Sequence, residues 1–283
     1  IRYVLGSRGL GDVYKRQIKE TVAHGKALTE MDVPGILTKY RSQGDNYVEE
    51  SFETIAGFGE HGAIVHYAAR PDTNAAINSS SLLLIDSGAN YLDGTTDITR
   101  TIAFGKPTHE QRHDFTLVMK GHIALAMAIW PEGTRGHQLD AMARMPLWKE
   151  GKTYLHGTGH GVGHFLTVHE GPQSVRLNDT GAPLLPGMIT SNEPGLYLSG
   201  RYGIRCENLV LTVEKMETEF GRFFGFETLT LCPFDRDLFE TAIMSEAEIR
   251  WVNDYHARVL AALSPYLEGE ELDWLRNATL PLI

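Results

Sequence analysis

The stretch His156-Gly-Thr-Gly-His160-Gly-Val-Gly-His164-Phe-Leu-Thr-Val-His169-Glu170-Gly171 carries a glycine at every second position from Gly157 to Gly163. Each interior glycine costs a helix about 1 kcal/mol relative to alanine, so this segment is not helical. Alternating glycines let a backbone run close against a ligand or another strand. Three histidines recur at every fourth position and a fourth follows, a pattern that chance rarely writes. A zinc finger is excluded, because Cys206 and Cys232 are the only cysteines and finger spacing is absent. A dinucleotide fingerprint fails because its third glycine would fall on Val162 or His164. His169-Glu170 has Gln173 where a metalloprotease helix motif needs a second histidine.

Upstream, Ser81-Leu-Leu-Leu-Ile-Asp86 is a short apolar run of the kind that makes a buried strand. Ser87–Thr96 turns the chain, and Asp97-Ile-Thr-Arg-Thr-Ile-Ala-Phe104 returns as a second strand. The two should pair as a hairpin with Asp86 and Asp97 at its mouth. Taken alone, aspartates there are ordinary turn formers. Downstream lie Ser191-Asn-Glu193-Pro-Gly195 and Gly203-Ile-Arg205-Cys-Glu207-Asn208. A glutamate inside an apolar strand is costly unless paired or ligated. Glu207 therefore calls either for a metal or for an ion pair with Arg205 or Arg201. Two aspartates, two glutamates and one histidine of the glycine-rich run form a hard, anionic donor set. That set suits two oxygen-preferring divalent cations, manganese above all, rather than structural zinc. Four negative charges balance two such ions, which in two-metal sites sit ~3.5–4 Å apart about an attacking water.

Around these motifs the pattern mixes helix and strand. A short helix is expected over residues 30–43, then strands at Ser51–Phe58 and Ala63–Tyr67. Thr108 with Gln111 makes a capping box for a long helix closed by Pro131, and another helix follows over His137–Lys149. Strands are expected near Met188–Glu193, Ile204–Val213 and Phe226–Leu231. Ser245 with Glu248 caps an amphipathic helix with Ile249, Val252, Val259 and Leu263 on its apolar face. A last short helix carries Leu272 and Leu275. Without βαβ regularity, the class is α+β.

The 283 residues are 42% hydrophobic and 22% charged, as in an ordinary globular protein. A formal charge of −10, from 36 acidic and 26 basic residues, argues against nucleic acid as a partner. Two cysteines make no disulfide framework and point to a reducing, cytoplasmic setting. No run reaches the ~20 apolar residues of a membrane span, and no signal peptide is legible. The chain begins with Ile1. Residues 1–17 show neither helical nor strand periodicity and read as a non-native or disordered segment. The expected division is therefore 1–17, a catalytic domain at 18–233, and a helical extension at 234–283.

Five stretches carry a resemblance: SFETIAGFGEHGAIVHY at 51–67, DSGANYLDGTTDITRT at 86–101, HGTGHGVGHFLTVHEGPQ at 156–173, SNEPGLY at 191–197 and GIRCENL at 203–209. The ordered set resembles the pita-bread (creatinase/aminopeptidase) metallopeptidases. Its wording is similar to the Xaa-Pro aminopeptidases (aminopeptidase P) in their longer cytoplasmic form, over about residues 18–283. The resemblance implies a pita-bread fold with a short C-terminal helical extension, and a dinuclear, manganese-dependent hydrolase acting on peptides with proline in second position. It implies Asp86 on one metal, Asp97 and Glu207 bridging both, and His160 with Glu193 completing the second. It implies that His66 and His169 steady the attacked carbonyl, that His156 and His169 line the substrate pocket, and that Arg205 stands beside the bridging glutamate. Glu193 would also move the proton to the proline nitrogen. His164 and His61 match no family role and are expected to pack. The long form has two further domains ahead of the catalytic one; here they are missing. The assembly expected is a homodimer. Two rivals stay open: a prolidase restricted to dipeptides, and a non-catalytic pita-bread binding module, which would have lost metal ligands.

Overall fold

The structure, a computed structural model, describes residues 10–165 and 167–283. Its first wall is a three-stranded antiparallel sheet. The middle strand, Leu82–Ser87, is buried at every position and pairs with Ile55–Phe58 on one side and Ile98–Ala103 on the other. Successive side chains alternate between faces. Leu83 and Ile85 join a core with Leu28, Val33, Leu37 and Ile102, built on helices α1 (Leu10–Ala23) and α2 (Val33–Arg41). Asp86, one residue on from Ile85, faces the opposite way, toward the interior of the molecule. Register puts Asp86 opposite both Ile55 and Thr99. Asp86 and Asp97 thus leave the sheet at one end, as the hairpin reading expects.

The second wall is a four-stranded antiparallel sheet in the order Ile189–Asn192, Asn208–Thr218, Gly221–Thr228, Ile129–Pro131. Helix α3 (His109–Ala126) opens on the expected capping box: Gln111 N donates to Thr108 Oγ1 at 3.1 Å and Thr108 N to Gln111 Oε1 at 2.8 Å. Helix α4 (Gly136–Trp148) packs on it so closely that a Cβ on Gly121 would stand 2.0 Å from the Ala143 carbonyl. Helix α5 (Glu246–Leu263) starts at Ser245 with the expected Glu248 partner, and α6 (Gly269–Ala278) follows. Val252, Val259 and Leu263 of α5 and Leu275 of α6 share one core with Phe115 and Ile123 of α3 and with Ile204.

Several expectations fail, each for a packing reason. Ala63–Tyr67 is not a strand: Gly59–Ala63 is a 3-10 turn followed by bends. There the backbones of Gly57, Gly62 and Gly203 meet, and a Cβ on Gly203 would lie 1.7 Å from the Gly62 carbonyl. The long helix stops at Ala126 rather than at Pro131, and Ile129–Pro131 joins the sheet as its edge strand, where proline's missing donor is tolerated. The turn after Asp86 contains two short strands, Ala89–Tyr91 and Gly94–Thr95, which form a ladder with Tyr47–Glu50. The strand read over 204–213 is two strands, Tyr202–Arg205 and Asn208–Thr218, broken at Cys206 and Glu207. Residues 10–17 form the first turns of α1, with Tyr14 3% exposed; the hydrophobic contact of Tyr14 and Ile18 with the α2 core supplies the order that periodicity did not signal. Residues 1–9 lie outside the described residues.

Candidate metal centre

Asp86 at a strand end, Asp97 before the next strand, His160 on the short strand Gly159–His160, Glu193 after Ile189–Asn192, and Glu207 at the strand break all line one cavity of about 670 Å³. One ligand atom from each of Asp97, His160 and Glu207 lies within 4.8 Å of the other two. His160 Nε2 stands 3.3 Å from Asp97 Oδ2 and 3.5 Å from Glu193 Oε1.

The glycine pattern explains how His160 gets there. A Cβ on Gly159 would fall 1.9 Å from the Ser191 carbonyl, and one on Gly161 would fall 2.0 Å from the Glu170 carbonyl. Only glycine lets the segment lie between Ser174–Val175 and the strand that leads to Glu193. His160 N then accepts its place by donating to Ser191 Oγ at 3.0 Å, and Glu193 N donates to the Thr158 carbonyl at 2.8 Å. From the other side, α4 supplies the buried pair Asp140–Arg144. Arg144 donates to the carbonyls of Tyr154 and His156 at 2.6 and 2.8 Å, and Thr158 Oγ1 donates to Asp140 at 2.6 Å.

Protons and lone pairs test whether the residues fit a metal. His160 Nδ1 is 2.9 Å from the Gly161 carbonyl, which can only accept, so that nitrogen carries the hydrogen. That leaves Nε2 as the ring's ligating position, aimed at the Asp97 and Glu193 carboxylates, the arrangement of a metal-binding histidine whose other nitrogen is anchored to a carbonyl. Asp86 Oδ1 and Glu207 Oε1 are buried and find no hydrogen-bond partner among the described residues. Buried polar atoms are rarely left so. Burial pushes the Glu193 carboxyl up to about 8, with Glu207 beside it. Burial, then the neighbouring Asp86, drives Asp97 well above the ordinary carboxylate range; burial, then Asp97, does the same to Glu207. Four carboxylates crowded out of water cannot all ionise without positive charge among them. Hard oxygens, one imidazole lone pair and orphaned acceptors fit divalent cations.

Arg205, 2% exposed, is the fixed positive charge of the site. It does not pair with Glu207, and Arg201 is engaged with Glu110 at 2.8 Å. Instead Arg205 Nη2 donates to Asp86 Oδ2 at 2.6 Å, Nη1 to the Tyr197 hydroxyl at 2.7 Å and Nε to Thr99 Oγ1 at 3.2 Å. Thr99 in turn donates to Glu207 Oε2 at 2.8 Å. Tyr197 and Thr99 escaped the sequence reading, although Tyr197 ends the quoted SNEPGLY motif and Thr99 sits two residues from Asp97 on the same strand face. His156 lies in the cavity wall, with Nδ1 donating to the Gly157 carbonyl and Nε2 accepting from Tyr197 at 2.8 Å. Burial, helped by the Arg205 charge, lowers its pKa to about 4. His66 and His169 are exposed on the same wall, His169 edge-on to His160 at 4.2 Å between ring centroids. His164 is exposed and does not line the cavity. His61 donates to buried Glu30 at 2.9 Å and stacks on Tyr67, the packing role expected of it.

Residues 7–214 match metallopeptidase family M24, and residues 222–282 match the C-terminal region of peptidase M24. A probable Xaa-Pro aminopeptidase P of Arthroderma gypseum is 47% identical over 268 residues, covering 92% of this chain and 42% of that protein. Aminopeptidase P2 of Arabidopsis thaliana is 47% identical over 271 residues, covering 94% of this chain and 38% of that one. Among solved structures, the X-prolyl aminopeptidase of Caenorhabditis elegans, described as a cytosolic enzyme with a di-nuclear active site, superposes with a TM-score of 0.94 at 39% identity. It covers 99% of this chain and 46% of that one. Prolidase from Pyrococcus furiosus superposes with a TM-score of 0.64 at 28% identity, over 81% of this chain and 63% of that one. The chain thus spans about two-fifths of the length of the curated relatives it matches.

Proposed function

The chain belongs to metallopeptidase family M24 and has its pita-bread fold, and from that premise we propose that it is a dinuclear metallo-aminopeptidase that hydrolyses the bond between a peptide's first residue and a following proline. The observation that carries this reading is the cavity in which Asp86, Asp97, His160, Glu193 and Glu207 converge with His66, His156 and His169 around them. Asp86 would serve one ion, Asp97 and Glu207 both, and His160 with Glu193 the other; two such ions, with manganese the preferred element, would supply an activated water and polarise the carbonyl under attack. The protein's own part is orientation and proton handling. Arg205 and Thr99 fix Asp86 and Glu207 by the hydrogen bonds above. His66 and His169 stand on the wall as donors for the developing oxyanion or the departing half. Glu193, on the cavity wall beside His160, would receive a proton from the attacking water and deliver it to the proline nitrogen. That nitrogen has no hydrogen of its own, so the second-residue site must select the ring by shape.

The expected setting is the cytoplasm, supported by two buried free cysteines and by the absence of any helix among the described residues long and apolar enough to cross a membrane. A homodimer is the assembly we favour, because Met142, Met145 and Trp148 leave an apolar stripe exposed on α4. The test of the reading is metal analysis with peptide assay. Two divalent ions per chain are expected, with manganese restoring stripped protein best and Xaa-Pro-Xaa peptides cleaved far faster than Xaa-Ala-Xaa. A stoichiometry near one, or equal rates on the two peptides, would overturn it. Cleavage of Xaa-Pro dipeptides alone would make the protein a prolidase.

A further inference from the structure

We propose that Arg176 reads a carboxylate on the third residue of the peptide, which makes short free-acid peptides of the form Xaa-Pro-Xaa preferred substrates; this rests on the Xaa-Pro reading above.

The cavity wall carries two arginines. Arg205 is buried and committed to Asp86, Tyr197 and Thr99. Arg176 is exposed and, among the described residues, makes no ion pair or hydrogen bond. An arginine left uncommitted beside four carboxylates is available to a ligand and needs a reason to face that way. Backbone geometry gives the direction. His160 pairs with Ser174 in the short ladder, and Gly159 pairs with Val175. Ser174 lines the cavity opposite His160, and Arg176, at the bend just past this two-residue strand, lines it as well. Its Cβ stands against Gly157, where a glycine Cβ would meet it at 3.3 Å. The absence of a side chain on Gly157 is what leaves room for Arg176 on the wall beside His156.

Distance then selects the ligand. Arg176 follows Ser174, the residue facing His160, by two residues, which places its backbone at most about 7 Å further along the wall. In an extended peptide the third residue's carboxyl carbon lies two residues, again roughly 7 Å, beyond the carbonyl that is attacked. With that carbonyl at the His160 cluster, the terminal carboxylate of a tripeptide comes within reach of the Arg176 side chain on the same cavity wall. Charge agrees with length. The free ammonium of the first residue meets the acidic floor, and the anionic end meets the arginine rather than Glu53, the exposed acid elsewhere on the wall. A guanidinium forms paired, charge-assisted bonds with a carboxylate.

The test compares Ala-Pro-Ala with its C-terminal amide, and Ala-Pro-Glu-amide with Ala-Pro-Gln-amide, on wild-type protein and Arg176→Gln. Turnover is measured on manganese-loaded protein and binding by calorimetry. The free acid is expected to be favoured over its amide about tenfold in kcat/KM, the size of a partly exposed charged hydrogen bond. The preference should be carried by KM, shrink as salt rises, and vanish in Arg176→Gln. A preference confined to the Glu/Gln pair would identify a side-chain carboxylate as the group read. Equal handling of both pairs by wild-type protein, or a preference that survives Arg176→Gln, overturns the proposal while leaving Xaa-Pro cleavage standing. Should no peptide be cleaved, the Xaa-Pro reading falls, and calorimetry still decides: equal binding of acid and amide, or no binding of either, overturns the arginine's role too.

Discussion

At the residue scale, Glu207 does most to hold the site together. It sits in a strand break, buried, with one oxygen fixed by Thr99 and the other without a partner among the described residues. Glu207→Gln keeps the shape and removes the charge, so metal stoichiometry and turnover should both collapse, while His164→Ala should leave both nearly intact. Loss of metal in the His164 variant would show that the wrong histidine is assigned. Thr99→Val removes the hydroxyl that joins Arg205 to Glu207. Outer partners of this kind are worth roughly 10–100-fold in metal affinity, and a metal titration showing no loss would deny Thr99 that part. His122 tests the pH behaviour of the layer behind the site, since its partners Cys206 and Asn208 flank Glu207. It is buried on α3, donating to the Cys206 carbonyl and accepting from Asn208. Burial, then the Arg100 charge, holds its pKa at about 3. Its contribution to stability is thus full above the ordinary histidine value and is lost as pH falls toward 3, at about 1.4 kcal/mol per pH unit. His122→Gln should be less stable than wild type at pH 7.5, and that gap should narrow by about 2 kcal/mol at pH 5. Urea midpoints showing a constant gap would mean that His122 protonates freely in the folded state. The ligand candidates were legible as a set: Asp86 and Asp97 alone read as turn formers and Glu207 as an ion-pair partner, and only beside the histidines of the glycine-rich run do they call for cations. Thr99 and Tyr197 were not, because their partners come from other elements: Glu207 lies 108 residues from Thr99 and His156 lies 41 from Tyr197.

At the scale of elements, local rules carried the helix starts and tertiary packing overrode the strand ends. Thr108 with Gln111 and Ser245 with Glu248 cap α3 and α5 as read, since a capping box is satisfied within four residues. The apolar run through residues 204–213 could not reveal its own break. The break exists so that Glu207 can turn inward, with its N donating to the Thr99 carbonyl of the facing strand. The glycine-rich segment shows the same dependence on a neighbour, because it has α4 behind it. Arg144 binds Asp140 at 2.6 Å, four residues earlier in α4, while holding the carbonyls of Tyr154 and His156. Arg144→Met would leave Asp140 buried and unpaired. Breaking such a pair from one side costs about 3–5 kcal/mol, whereas replacing both partners costs much less. Denaturant unfolding of Arg144→Met and of Arg144→Met with Asp140→Leu should show this order. A single variant within ~1 kcal/mol of wild type would mean that the pair does not brace the strand.

At the scale of the whole molecule, the question is whether residues 234–283 form an extension that could be removed. We propose that the division after Pro233 separates elements and not folding units. Val252, Val259 and Leu263 of α5 fill the same core as Phe115 and Ile123 of α3 and Ile204, so no seam of water-facing surface runs between them. The polar contacts cross the division as well. Arg100, 1% exposed, donates to the carbonyls of Glu207 and Cys232 and to Asn208 Oδ1, and Tyr255 of α5 accepts from it at 3.1 Å. Tyr255 also takes a hydrogen bond from Cys232 N at 3.1 Å. One buried guanidinium thus joins the backbone of a proposed bridging ligand to the penultimate helix. Ending the chain at Pro233 would strip the apolar cover from α3 and leave Arg100 short of a partner; exposing that face costs about 25 cal/mol for each Å², against a total stability of only ~5–15 kcal/mol. Residues 18–233 alone are therefore expected to stay unfolded and to bind no metal stoichiometrically. The intact chain should unfold in one calorimetric transition whose measured and van't Hoff enthalpies agree. Two resolved transitions, or a soluble 18–233 fragment that keeps its two metals, would show instead that the site needs nothing from the C-terminal helices.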